Sequence, residues 1–142
     1  MMTLQELRDE IVNDPLGLGY VNGQGDWVGD QIITDMLNST NNGANVRRTA
    51  VPMREIYANI VWADFMILGQ GAREAFRLIT STNALDASSQ NIIDAFVAIF
   101  GGGSATVSAL NVATTKMGSR AEVLWGEGTS IAIGQVARAE NL

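Results

Sequence analysis

The stretch SSQNIIDAFVAIF, Ser88–Phe100, decides the fold, and three glycines follow it. Its apolar residues recur at three- and four-residue spacing, and Asp94 is its only charged residue. This broad apolar stripe is typical of a helix that packs into a core. Ser88 can cap the helix with its hydroxyl, and Gly101 can end it because glycine readily adopts left-handed backbone angles. We therefore predict a central helix around which the other elements pack.

Apolar stripes of the same spacing predict further short helices on both sides of this stretch. Thr3 and Glu6 form a capping box at the start of the first helix, which ends at Asp14 because Pro15 follows. A second helix is expected from Asp26 to about residue 38, with Asp26 as its cap. On a later helix, residues 72–81, the side chains predicted to point inward are Phe76, Leu78 and Ile79.

No segment alternates polar and apolar residues for long, so no strand is predicted. Residues 39–50 are polar without periodicity and are predicted to form a flexible loop, and the C-terminus is expected to fray. The resulting fold class is all-α, a single domain spanning residues 1–142. We expect about six to seven short helices around the central apolar helix.

Composition excludes several kinds of chemistry. The chain has 142 residues, which suits one domain, and contains neither cysteine nor histidine. Disulfides, thiolate metal sites and catalytic triads built on histidine or cysteine are therefore impossible. The net charge is −6 and the sequence pI about 4.4, which makes the chain a poor general ligand for DNA phosphates.

The remaining catalytic patterns are also missing. The only lysine, Lys116, follows no phosphate-binding loop of the Walker type, and no dense acidic calcium loop occurs. Gly101–Ser104 precedes a helix, but a joint between two helices explains this glycine run better than an anion site does. We therefore predict a non-enzyme without catalytic, cofactor-binding or metal-binding residues.

Only 17 % of the residues are charged, below the average of about 25 %. Either a partner covers part of the surface, or the chain has a neutral surface rich in small residues. No apolar run is long enough to span a membrane, and the N-terminus does not resemble a signal peptide. We expect the chain to be made in the cytoplasm.

Four stretches carry a resemblance to a known group of proteins. The opening TLQELRDEIVNDPLGLGY and the close SRAEVLWGEGTSIAIGQVARAE resemble the two ends of small helical proteins encoded in the structural gene cluster of tailed bacteriophages. Val51–Ile56 and Phe100–Ser104 are similar to that group as well. The resemblance covers about half of the chain, and its motifs carry no chemistry.

The resemblance implies a structural subunit of the virion. Small helical subunits of this kind suit the neck, as a head–tail connector or adaptor, or a tail-associated ring. The implied partners are other phage structural proteins and further copies of the chain in a ring, with neither a membrane nor sequence-specific nucleic acid. The implied location is the virion, and the host cytoplasm during assembly.

Two other functions remain open. The chain could be a tail-assembly or completion factor that is absent from the mature particle. It could also be a small helical regulator that binds nucleic acid, in which residues 104–125 mimic a helix-turn-helix with Arg120 on the second helix. A single arginine without a basic face gives the latter little support.

Six residues are candidates for contacts with a partner. The alternative for the arginines is ordinary solvated surface, and the alternative for the tryptophans is the core, although tryptophan is enriched at binding hot spots. The candidates are Arg47, Arg48, Arg54, Trp27, Trp62 and Trp125.

Overall fold

The computed structural model describes residues 1–142 and is mostly helical. Nine α-helices and one 3₁₀ turn account for 54 % of the chain, and two small two-stranded sheets accompany them. The prediction of an all-α chain with six to seven helices is therefore wrong in its helix count and in its lack of strands. The α-helices are α1 (Leu4–Asn13), α2 (Asp30–Asn38), α3 (Met53–Ala58), α4 (Trp62–Met66), α5 (Gln70–Ile79), α6 (Gln90–Phe100), α7 (Ala105–Ala113), α8 (Arg120–Trp125) and α9 (Ile133–Glu140).

The strands are only two or three residues long. Asn45–Arg47 (β1) pairs with Thr115–Met117 (β4), and Val51–Pro52 (β2) pairs antiparallel with Ala84–Leu85 (β3). Segments this short show no alternation that sequence could reveal. Residues 39–50, which we predicted to be a bare loop, contain β1 and a 3₁₀ turn at Thr40–Asn42.

The chain forms two compact units. The terminal unit consists of Met1–Val46 and Met117–Leu142, and the middle unit is Arg47–Lys116. Each unit has its own cluster of buried apolar side chains. The chain therefore has two cores instead of one core around a single central helix, and our prediction of such a central helix is wrong. Whether the two units behave as one domain stays a prediction.

The terminal unit joins the two ends of the chain. Helix α9 packs on α1 and α2, and α8 packs on α2. Arg8 donates hydrogen bonds to the carbonyl oxygens of Ala139 and Glu140, and the amide of Asn38 exchanges two hydrogen bonds with the backbone of Ile131. The buried core is made of Leu7, Ile11, Tyr20, Ile33, Leu37, Ala121, Ile131, Val136 and Ala139.

A close approach of two backbone segments in this unit requires glycine. A Cβ atom on Gly43 would lie 1.7 Å from the carbonyl oxygen of Gly118, and one on Gly118 would lie 2.7 Å from a methyl of Val46. The Gly118 N–H donates to the carbonyl of Ala44 over 2.9 Å. No side chain fits between these segments, so both glycines are structural.

The middle unit packs α6 against α5 and α7, and α3 against α7. Phe76 on α5 is its aromatic centre, because the ring contacts Tyr57, Phe65, Phe96 and Phe100 with centroids 5.5–6.4 Å apart. Edge-to-face pairs at such distances add about 0.5–1.5 kcal/mol each beyond the area they bury.

Several helix ends follow the sequence and several do not. The capping box of Thr3 and the end of α1 at Asp14 are confirmed, and α6 stops at Gly101 with φ +88°. Asp26 does not cap α2, which begins after Gly29, and the residue before α6 is Ser89 rather than Ser88.

No helix of the chain combines the length and apolar character that crossing a bilayer requires.

Candidate interaction surface

Arg54 lies on an exposed arginine-rich surface of the middle unit. Arg54, Tyr57 and Thr80 line one shallow depression, and the same tyrosine and threonine line the next together with Arg73 and Arg77. The shared residues make the two depressions continuous. We call Arg54, Tyr57, Arg73 and Arg77 the arginine face.

The arginine face is arranged by α3 and α5. Arg73 and Arg77 stand four residues apart on α5, so they lie on one side of the helix. The guanidinium of Arg73 lies 5.4 Å from the centroid of the Phe65 ring and donates to the carbonyl of Met66 over 2.9 Å. These contacts fix the position of Arg73, which is exposed like Arg54 and Arg77.

An exposed apolar ridge continues from this surface. Trp62, Met66 and Ile67 at and just after α4 are 64 %, 67 % and 84 % exposed. The Trp62 ring contacts the Phe65 ring edge-to-face at 5.5 Å, which connects the ridge to the aromatic centre beneath it. Of the three tryptophans, Trp62 is the one that the structure leaves on the surface.

The other two tryptophans belong to the terminal unit. Trp27 and Trp125 are half-buried and pack against the core of that unit. Trp27 also forms an isolated antiparallel bridge with Val21. Their rings are thus partly core, and Trp125 additionally lines a surface groove.

That groove is acidic. It is lined by Glu6, Asp9, Glu10, Asn13, Pro15, Leu124 and Trp125. Glu6, Asp9 and Asn13 are exposed on α1, and hydrogen bonds from Thr3 lower the pKa of Glu6. We call this lining, without the buried Glu10, the acidic groove.

Glu10 is used inside the terminal unit. Its two carboxylate oxygens accept from Nε and Nη2 of Arg120 over 2.7 and 3.0 Å, and both side chains are largely buried. The bond to Glu10 raises the pKa of Arg120. The buried hydroxyl of Tyr20 has no hydrogen-bond partner, and burial, with the nearby charge of Glu10, raises its pKa.

Arg47 and Arg48 do not join Arg54. Arg48 donates to Glu55 over 2.5 Å and to the carbonyl of Ala113 over 3.1 Å. The hydrogen bond from Arg48 lowers the pKa of Glu55. Arg47 donates to Asn111 over 3.4 Å. Arg48 therefore connects parts of the middle unit, and Arg47 stays a candidate contact.

Arg47 and Asn111 also belong to the lining of an apolar cavity of about 40 Å³, whose other walls include Ile56, Phe96 and Leu110. Ligand pockets usually hold about 300–1,000 Å³, so this space is a packing gap of the middle unit. No group of three acidic side chains is placed to hold a metal ion.

Sequence reasoning missed Arg73, Arg77 and Ile67. The signal for the arginines was available, since their spacing places both on one face of a helix. Leu78, which we predicted to point inward, is 75 % exposed, because α5 buries Phe76 and turns the other side of the helix to solvent.

No family model, curated protein or solved structure matches this chain.

Proposed function

We propose that this protein is a structural subunit of a tailed-phage virion that acts through protein–protein contacts. The proposed place is the neck, as a head–tail connector or adaptor, or a tail-associated ring. Support comes from the resemblance of the two ends of the chain to phage structural proteins and from the exposed side chains of the middle unit.

The apolar ridge of Trp62, Met66 and Ile67 carries this proposal. Three large apolar side chains lie together on the surface and are mostly exposed. Contiguous apolar surface of this kind marks interaction sites, and tryptophan is among the residues that dominate binding energy. In a virion subunit, this ridge would be covered by a neighbouring protein.

The test is incorporation into particles. A phage that lacks the gene is supplied with the wild-type protein, with a Trp62→Ala/Met66→Ala variant, or with a Val112→Ala control, which changes an exposed apolar side chain elsewhere. Quantitative mass spectrometry of purified particles should find the wild type and the control at a fixed copy number and the ridge variant depleted. Particles that contain none of the wild-type chain would contradict the proposal.

The same measurement addresses the completion-factor alternative. A factor of that kind is required for infectious particles but is absent from them. Infectivity that depends on the chain, in particles without it, would therefore support this alternative over the structural subunit.

A nucleic-acid-binding regulator is less well supported. Arg120, which that hypothesis places against DNA, has its guanidinium paired with buried Glu10. The segments that were to form the helix-turn-helix are separated by strand β4. A gel-shift assay at low salt, where phosphate contacts are strongest, should show no shift with duplex DNA.

A further inference from the structure

Charge is distributed unequally between the two units. The terminal unit contains ten acidic residues and three arginines, a net charge of −7. The middle unit contains five acidic residues, five arginines and one lysine, a net charge of +1. The overall charge of −6 is thus the sum of the charges of a strongly acidic unit and a slightly basic one.

The arginine face concentrates the positive charge of the middle unit. Arg54 and Arg77 are exposed, and Arg73 lies over an aromatic ring. Exposed Tyr57 lies between them. Guanidinium groups beside aromatic rings are suited to carboxylates on a surface that also offers apolar contact.

The acidic groove of the terminal unit is such a surface. Glu6 and Asp9 provide exposed carboxylates on one face of α1, while Pro15, Leu124 and Trp125 provide apolar walls. Side chains three or four residues apart on a helix have their Cβ atoms about 5–6 Å apart. The Cβ atoms of Glu6 and Asp9 on α1 and those of Arg73 and Arg77 on α5 therefore have similar spacing.

We propose that the arginine face of one copy of this chain binds the acidic groove of a second copy. The two patches are different surfaces, so the contact is heterologous when each copy offers its arginine face to one neighbour and its acidic groove to another. Such a contact produces a closed ring if the rotation closes and a filament if it does not. This inference rests on the proposed function for its ring, but the contact itself is tested without a virion.

A second copy explains the charge pattern better than nucleic acid does. A nucleic-acid ligand would meet the field of a chain whose net charge is −6, and phosphate binding needs a broad basic surface. A second copy supplies both the carboxylates and the apolar walls. Opposite patches on one protein also accelerate encounter at low salt.

The test exchanges the charges of the two patches. Arg54→Glu/Arg77→Glu makes the arginine face acidic, and both positions are exposed. Asp9→Lys/Asn13→Lys makes the groove basic and spares the capping residue Glu6, and a lysine at the C-terminal end of α1 suits the helix dipole. A Lys116→Glu/Arg138→Glu variant is the control, because it gives the same charge change as the first variant outside the arginine face.

Sedimentation velocity measures the outcome. Wild type and control are expected to form species above the 15.2 kDa of one chain at low salt, and each exchanged variant alone is expected to be monomeric. An equimolar mixture of the two exchanged variants should associate again, because the acidic face of one then meets the basic groove of the other. High salt should weaken association in every case.

Circular dichroism confirms that each variant is folded, and Arg54→Gln/Arg77→Gln replaces the first variant if it is not. A wild type that stays monomeric at low salt, or a mixture of folded variants that does not associate, overturns the inference. If the exchange works but particles lack the chain, the proposed function fails and the contact stands. If particles contain both exchanged variants at normal copy number, the contact fails and the proposed function stands.

Discussion

The two units of this chain are stabilised in different ways. The terminal unit has a core of mostly aliphatic side chains and a largely buried ion pair between Glu10 and Arg120. The middle unit packs aromatic rings around Phe76 and keeps its ion pair, Arg48 with Glu55, partly exposed. One unit therefore depends on satisfying buried charge and the other on ring packing, so equivalent substitutions should have unequal effects.

The largest expected effect comes from the aromatic centre of the middle unit. Phe76→Ala removes a buried ring that contacts four others, and such truncations cost about 3–5 kcal/mol of unfolding free energy. Urea denaturation measures the change. Leu78→Ala on the same helix is the control and should cost almost nothing, since Leu78 is exposed.

Phe76→Ala also tests whether the two units unfold together. Trp62 is the only tryptophan of the middle unit, so Trp62→Phe and Trp27→Phe/Trp125→Phe variants each report on one unit. We expect Phe76→Ala to lower the unfolding midpoint reported by both tryptophan probes equally. Unfolding the middle unit leaves the two segments of the terminal unit joined by a long loop, whose closure costs entropy. Two separate transitions would contradict the prediction of a single domain.

The buried ion pair should give the next largest effect. Arg120→Met leaves the Glu10 carboxylate without its partner in a largely buried position, and breaking such pairs costs about 3 kcal/mol. Replacing both residues, as Glu10→Leu/Arg120→Met, should recover most of the loss. A double variant no more stable than the single one would show that this charge pair stabilises more than an apolar pair would.

A smaller loss is expected where the two backbone segments meet in the terminal unit. Gly43→Ala places a methyl 1.7 Å from the oxygen of Gly118, and relieving the clash should cost about 1–3 kcal/mol. Gly23→Ala is the matched control, because its Cβ would meet nothing within 4 Å. Equal thermal unfolding of the two variants would contradict the close approach.

The smallest effect concerns the partly exposed ion pair of the middle unit, Arg48 with Glu55. The hydrogen bond from Arg48 lowers the pKa of Glu55 from 4.5, so its contribution to stability is present above pH 4.5 and is lost as pH falls through the lowered pKa. Glu55→Gln should therefore change the urea midpoint slightly at pH 6 and not at all well below the lowered pKa. A carboxyl titration followed by NMR gives the pKa directly, and an ordinary value for Glu55 would contradict the bond.

Sequence reasoning succeeded where structure is set by neighbouring residues. Thr3 with Glu6, and Gly101, act at helix ends as their chemistry predicts. Local hydrogen bonding and backbone freedom decide these positions, so a few residues contain the whole signal.

Sequence reasoning failed where contacts between residues far apart in the chain determine the structure. Nothing near Arg8 indicates that it bonds to Ala139 and Glu140, and strands of two or three residues exist only because a partner segment lies beside them. Among the candidate contacts, Arg54 and Trp62 lie on the exposed surface, whereas Arg48 bonds within the chain to Glu55, seven residues away.

The terminal unit has a consequence for synthesis on the ribosome. Its core combines α1 and α2 with α8 and α9, so the first helices leave the exit tunnel long before the last ones have been translated. All residues of the middle unit emerge earlier than the closing segment. The nascent polypeptide therefore exposes Leu7 and Ile11 without their partners on α9 until the last helix of the terminal unit has been translated.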